Sequence, residues 1–203
     1  MQSVEFLEFV SNNKDPRITL LRNKNVVQWL FGDLSFLGSG KKKELKMLED
    51  IWGRKTMKHR RPDLKMDKQW TNLFGEYICE EIYFLYGKDV SKPEKKNRLQ
   101  PDKEIDDAII EVKTETYYTE GTAGEKILGV PFKYSEVPTL YGKPLKILCI
   151  GGAEKACREQ YGNLPGPKLS LIKKNILDLY RERGIEYIGM TDLMKELTLT
   201  ISL

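Results

Sequence analysis

The segment KPLKILCIGG, residues 143 to 152, constrains the fold of this chain more than any other stretch. Its apolar run, with Leu145, Ile147, Leu148, Cys149 and Ile150, ends in a pair of glycines and reads as a buried strand. A buried strand needs cover, and the flanking sequence supplies helical patterns. GAEKACREQYG and the longer SLIKKNILDLYRERG follow as helices, then IEYIGM as a short strand and DLMKELTL as a final helix. Upstream, WTNLFGEYICEEIYFLYG reads as an amphipathic helix ending at Gly87. This alternation predicts an α/β (α+β) fold, a mixed central β-sheet with helices on its faces.

Residues 1 to 69 have a different character, and the chain divides into a helical, basic N-terminal region packed on a core of residues 70 to 203. SVEFLEFV can begin a helix capped by Ser3, with Glu5 in the first turn where the helix dipole favours an anion. TLLRNKNVVQWLFGDL continues the helical pattern, and ELKMLEDIW places Leu45, Leu48, Ile51 and Trp52 at helical spacing. The net charge of +4 is unevenly spread. Residues 41 to 68 hold eleven Lys or Arg against five Asp or Glu, so this stretch carries +6 and the remainder sums to −2. Such clustering makes a local positive field suited to a polyanion, and Lys55, Lys58, Arg60 and Arg61 are the expected phosphate contacts. A solvated basic surface is the competing explanation.

Several classes are excluded or disfavoured. With 203 residues and 40% hydrophobic content the chain can bury a core without staples. Cys79, Cys149 and Cys157 are odd in number and lack CxxC spacing, so neither a disulfide framework nor a zinc site is expected. No apolar run approaches the roughly 18 residues of a membrane span, and MQSVEFLEFVSNN lacks a basic signal-peptide start. The expectation is a soluble, intracellular protein with no membrane partner. His59 is the single histidine, which rules out a multi-histidine metal cluster. Gly151-Gly152 lacks the spacing of a phosphate-binding loop and reads as a tight connection.

The chemistry is concentrated in LQPDKEIDDAIIEVKT, residues 99 to 114. If Asp106 and Asp107 are the centre of a hairpin turn, Ile105 faces Ala108, Glu104 faces Ile109, Lys103 faces Ile110 and Asp102 faces Glu111. Opposed residues share a face with β-carbons about 5 Å apart. Lys113 joins the same face because side chains alternate with period two. Two facing carboxylates destabilise a hairpin, and a divalent cation resolves the conflict. Mg²⁺ takes oxygen ligands, commonly one or two carboxylates completed by water and phosphate oxygens. The preceding helix contributes further acids. Plotted at about 100° per residue, Phe74, Tyr77, Ile78, Phe84 and Leu85 share a side that also carries Glu81, whereas Glu76 lies opposite. A carboxylate on an apolar face is costly unless it has a partner or a task.

Pro101-Asp102 followed by Glu111-Val112-Lys113 resembles the PD-(D/E)xK motif of the restriction-endonuclease-like nuclease superfamily. The resemblance covers residues 70 to about 155, where an acid-bearing helix, the Pro-Asp hairpin, the EVK strand and a helix entered through GTAGEKI follow in that superfamily's order. It implies a restriction-endonuclease-like mixed sheet, Asp102 and Glu111 as Mg²⁺ ligands with Mn²⁺ able to substitute, and Lys113 assisting the attacking water. A further helix carboxylate is implied; the GE-opened spacing indicates Glu76 and the facial arithmetic Glu81. GTAGEKILGVPFKY is similar to the stretch after the catalytic strand in some type II restriction endonucleases, including those resembling chlorella-virus enzymes. That likeness implies DNA contacts from Thr122, Lys126 and Lys133. The expected activity is Mg²⁺-dependent, site-specific cleavage of double-stranded DNA leaving a 5′-phosphate. A homodimer would supply two active sites for a palindrome, and a companion methyltransferase would act on the same site. The alternatives are a structure-selective repair or recombination nuclease and a non-catalytic DNA-binding module of the same fold.

Overall fold

The computed structural model describes residues 2–65, 69–118 and 123–201. Helix α1 (Gln2–Ser11) already contains Ser3 in its first turn, so Ser3 is not its cap. The long helical pattern expected after Thr19 shortens to α2 (Lys24–Leu30), whose cap is Asn23, the side chain accepting from the Asn25 N–H. The cause is tertiary: the N–H groups of Leu20 and Leu21 bond to the carboxylate of Glu81 instead of to a helix ladder. Helix α3 (Lys42–Arg60) then carries most of the basic stretch.

Helix α4 (Thr71–Leu85) leads through a connector to β1 (Lys103–Glu104) and β2 (Ile109–Glu115). Three short helices follow, α5 (Ala123–Leu128), α6 (Val130–Lys133) and α7 (Val137–Tyr141). Then come β3 (Leu145–Gly151), α8 (Gly152–Ala156) continued by a wider π turn over Cys157–Tyr161, α9 (Leu171–Glu182), β4 (Ile185–Gly189) and α10 (Met190–Ile201). The four strands form one mixed sheet in the order β1-β2-β3-β4, β1 antiparallel to β2 and β2, β3 and β4 parallel. The parallel pairs require crossovers, which α5–α7 and α8–α9 provide.

Alternation along the strands sends side chains into two cores. Ile110 and Val112 of β2 and Leu148 and Ile150 of β3 pack with Phe6, Trp29 and Met57 from the N-terminal region, Phe74 and Ile78 of α4, and Met194 of α10. The N-terminal helices therefore share one core with the sheet. On the other face, Ile109, Ile147 and Cys149 pack with Ile127, Val130, Val137 and Ala153.

Two glycines allow close approaches that shape the site. A β-carbon on Gly75 would collide with Thr114 Oγ1, so only glycine lets α4 lie this near β2. Gly151 has φ +62° and sits against Trp29, where a side chain would be both strained and obstructed. The Gly pair is thus the tight strand-to-helix connection its sequence indicates. The alternation of EVKTETYYT predicts a strand through Tyr117, but β2 ends at Glu115, because the Tyr117 N–H turns to Glu49 Oε1 at 3.0 Å and its ring packs edge-on against Trp29.

Candidate active site

The hairpin has the register derived from the sequence. Lys103 pairs with Ile110 and Glu104 with Ile109, and the turn closes with the Ile105 N–H donating to the Ala108 carbonyl at 2.9 Å. Lys88 holds both turn carboxylates, at 2.9 Å from Asp106 and 3.2 Å from Asp107. Regular pairing stops at Lys103, so Asp102 is the first residue beyond the ladder. Its Oδ2 accepts from the Val112 N–H at 2.8 Å, a donor that a longer strand would have met with a main-chain carbonyl. This bond ties the Asp102 carboxylate to the β2 segment that carries Glu111 and Lys113.

Glu111 and Lys113 share the face of β2 turned toward α5 and α6. Lys113 Nζ donates to Glu111 Oε1 at 2.6 Å. Glu111 Oε2 is buried and has no hydrogen-bond partner among the described residues. Burial pushes the Glu111 carboxyl above its usual range; Lys113 opposes that rise and the charge of Asp102 adds to it. A buried carboxylate with one bare oxygen beside a second carboxylate is costly as it stands.

These groups line a cleft of about 510 Å³ between β2, the start of α4 and the α5–α6 segment. Glu76 of α4 lines it together with Asp102, Glu111 and Lys113, and Lys126 and Lys133 line its α5–α6 side. Glu76 is held by Lys103 Nζ at 3.1 Å, and the same ammonium donates to Glu80 at 2.7 Å. Burial works against the charge on Lys103, but the two carboxylates outweigh it and raise its pKa. Glu115 also lines the cleft; burial raises its pKa and Lys126 opposes the rise.

Glu81 does not join this group. Its carboxylate accepts from Thr19 Oγ1 at 2.8 Å, from the Leu20 N–H at 2.9 and 3.0 Å, from the Leu21 N–H at 2.9 Å and from Arg60 Nη1 at 2.6 Å. The apolar-face arithmetic located a buried acid correctly, but its task is to anchor the N-terminal segment, and the helix carboxylate at the cleft is Glu76. Arg60 departs from the expected phosphate contact for the same reason: it bridges Glu80 and Glu81 and stacks over Tyr77. Arg61 pairs with Asp63 at 2.5 Å and reaches Tyr77. Lys55 and Lys58 stay exposed on α3 and do not line the cleft. Thr122 lies outside the described residues.

Sequence reasoning missed Lys103, Gln69 and Asn72. Asn72 and Glu76 both line the cleft, and their i, i+4 spacing was the available signal that one side of α4 looks onto the site.

Among the described residues no group of three or more His, Cys, Asp or Glu side chains forms a metal cage. Two carboxylates suit a cation that keeps much of its coordination for water and phosphate oxygens, which describes Mg²⁺. The bare Glu111 oxygen beside Asp102 fits such a group. Glu49 also has a buried oxygen without a partner among the described residues, Oε2, but it does not line this cleft, and its Oε1 is held by Trp29 Nε1 at 2.6 Å and the Tyr117 N–H. Comparison with protein-family models, with curated proteins and with solved structures gives no match to this chain.

Proposed function

We propose that this cleft hydrolyses DNA phosphodiesters with Mg²⁺, and that the chain is a site-specific endonuclease of double-stranded DNA of the type II restriction kind. The observation that carries this reading is the buried, unpartnered Glu111 Oε2, facing a cleft with Asp102 beside it and Lys113 bonded to its other oxygen.

Asp102 and Glu111 would hold the cation, and Mn²⁺ suits the same oxygen donors. When bound, Mg²⁺ supplies Lewis-acid polarisation of the phosphate and makes water a better nucleophile. The chain's own groups account for the rest. The Val112 N–H fixes the orientation of the Asp102 carboxylate, and the Lys113–Glu111 bond fixes the ammonium. Lys113 orients the attacking water and offsets the charge that develops on the phosphorane oxygens. Lys126 and Lys133 hold flanking phosphates, which position DNA without reading its sequence. Glu76, restrained by Lys103, adds a third carboxylate to the cleft. Water adds to phosphorus, the P–O3′ bond breaks, the O3′ leaves with a proton, and the phosphate stays on the 5′ end.

The test is digestion of a plasmid of known sequence with Mg²⁺ or Mn²⁺, comparing wild type with Asp102→Ala and Lys113→Ala and sequencing the ends. Discrete fragments from wild type alone support a restriction enzyme. Cleavage confined to junctions, flaps or ends would move the reading to a repair nuclease. DNA left intact in both cations would remove catalysis from it.

A further inference from the structure

Helix α9 has no fully buried residue. Leu177 and Tyr180 are half-buried on its inner side, Tyr180 against the second core. The outer side carries Leu171, Ile172, Ile176 and Leu179, exposed by 74, 73, 47 and 53%. At 3.6 residues per turn these four and the exposed Asn175 occupy an arc of about 140°. The helix is therefore apolar on two sides, and one of them is uncovered. The uncovered side amounts to on the order of 400 Å² of aliphatic surface, comparable with the largest apolar patch of an ordinary monomer, which is often a functional one.

We infer that the occupant is a second copy of this chain, bound through an antiparallel α9–α9 contact about a two-fold axis beside Asn175. The residue pattern is complementary to itself. With the axis at Asn175, Leu171 of one copy packs against Leu179 of the other, and this contact occurs twice, as an isologous interface requires. The two Asn175 amides meet at the axis, where a polar pair fixes register in an otherwise apolar seam. Lys174 and Asp178 lie on one flank of the helix, the base toward its N-terminal half. Antiparallel pairing brings Lys174 of each copy to Asp178 of the other. Asp178 is bonded to Arg181 within the helix at 2.6 Å and keeps about half of its side chain exposed. The pairing does not depend on what the cleft does.

The full chain in analytical ultracentrifugation should show a concentration-dependent dimer in the micromolar range, as expected of an interface smaller than the standard size. Leu179→Glu and Ile172→Glu should each weaken association at least tenfold while circular dichroism and melting temperature stay unchanged. Lys174→Glu and Asp178→Lys should each weaken self-association, and mixing the two variants should restore a heterodimer, because each mixed contact then has opposite charges. A monomer at all concentrations up to about 200 µM, well above the dissociation constant expected here, would overturn the inference. So would a dimer indifferent to both Glu substitutions, or charge variants that mixing does not rescue.

Discussion

Glu81 on α4 and Glu111 on β2 are buried alike, 1% and 4% exposed. Their surroundings differ in how the oxygens are used. Around Glu81 a hydroxyl, two main-chain N–H groups and a guanidinium converge, so the acid is a completed structural joint between α4, α3 and the segment before α2. Among the described residues only Lys113 bonds to Glu111, one oxygen remains bare, and the neighbouring carboxylate of Asp102 makes the charge more costly. Burial of a charge is therefore a poor indicator of function by itself. A buried charge whose hydrogen-bonding capacity is incomplete, next to a cleft, is the informative case.

The largest expected effect is on turnover. Glu111→Gln should reduce cleavage by about 10³-fold or more, a loss comparable to removing one group that acts on transition-state charge, and the protein should melt no lower than wild type because a desolvated charge is gone. If Glu111→Gln unfolds the protein as readily as a change at Glu81, the contrast between the two sites collapses.

Glu81→Gln should do the reverse. Breaking a buried pair leaves Arg60 and main-chain donors unmatched, at a cost of about 3 kcal/mol. For a chain of this size that lowers the melting temperature by roughly 6–12 °C, while cleavage per folded molecule is retained. Calorimetry with an activity assay on the same samples separates the two outcomes.

Mg²⁺ sharpens the comparison further. At a hundredfold excess over its dissociation constant, a ligand that binds only the folded state adds about 2.7 kcal/mol of stability. Wild type and Glu81→Gln should both show this increment in thermal melts, and Glu111→Gln should not.

The smallest effect is in protons. Burial raises the Glu111 pKa, so the metal-free folded protein holds its proton more tightly than the unfolded chain does. That contribution favours folding below the ordinary carboxylate pKa and is lost as pH rises through the raised value. Cation binding requires the ionised form, so Mg²⁺ affinity falls as pH drops through the raised value, and binding near it releases a proton. Isothermal titration in two buffers of different ionisation enthalpy should detect this release in wild type and in Glu81→Gln, and lose it in Glu111→Gln.

Some parts of this arrangement were legible in advance because they are local. KPLKILCIGG and IEYIGM were recognisable as strands, and the β2 face was readable from period two alone. Other parts depended on partners distant in the chain. The early end of β2 follows from Glu49 and Trp29, which no alternation pattern around Tyr117 contains. The shortening of the helix before Val26 follows from Glu81, some sixty residues away. The basic stretch showed its charge but not its allocation: Lys55 and Lys58 remain outside while Arg60 turns inward to Glu80 and Glu81.

The sequence by itself determined the pairing of the hairpin and the grouping of Asp102, Glu111 and Lys113, since turn length and strand alternation leave little freedom over a dozen residues. Only the tertiary structure decided which acid of α4 reaches the cleft. That choice depends on the rotation of α4, which is set by the close approach of Gly75 to Thr114 on one side and by the donors that gather around Glu81 on the other. A helical wheel gives the relative angle of Glu76 and Glu81 but not the direction of the sheet, and the direction of the sheet is a property of packing.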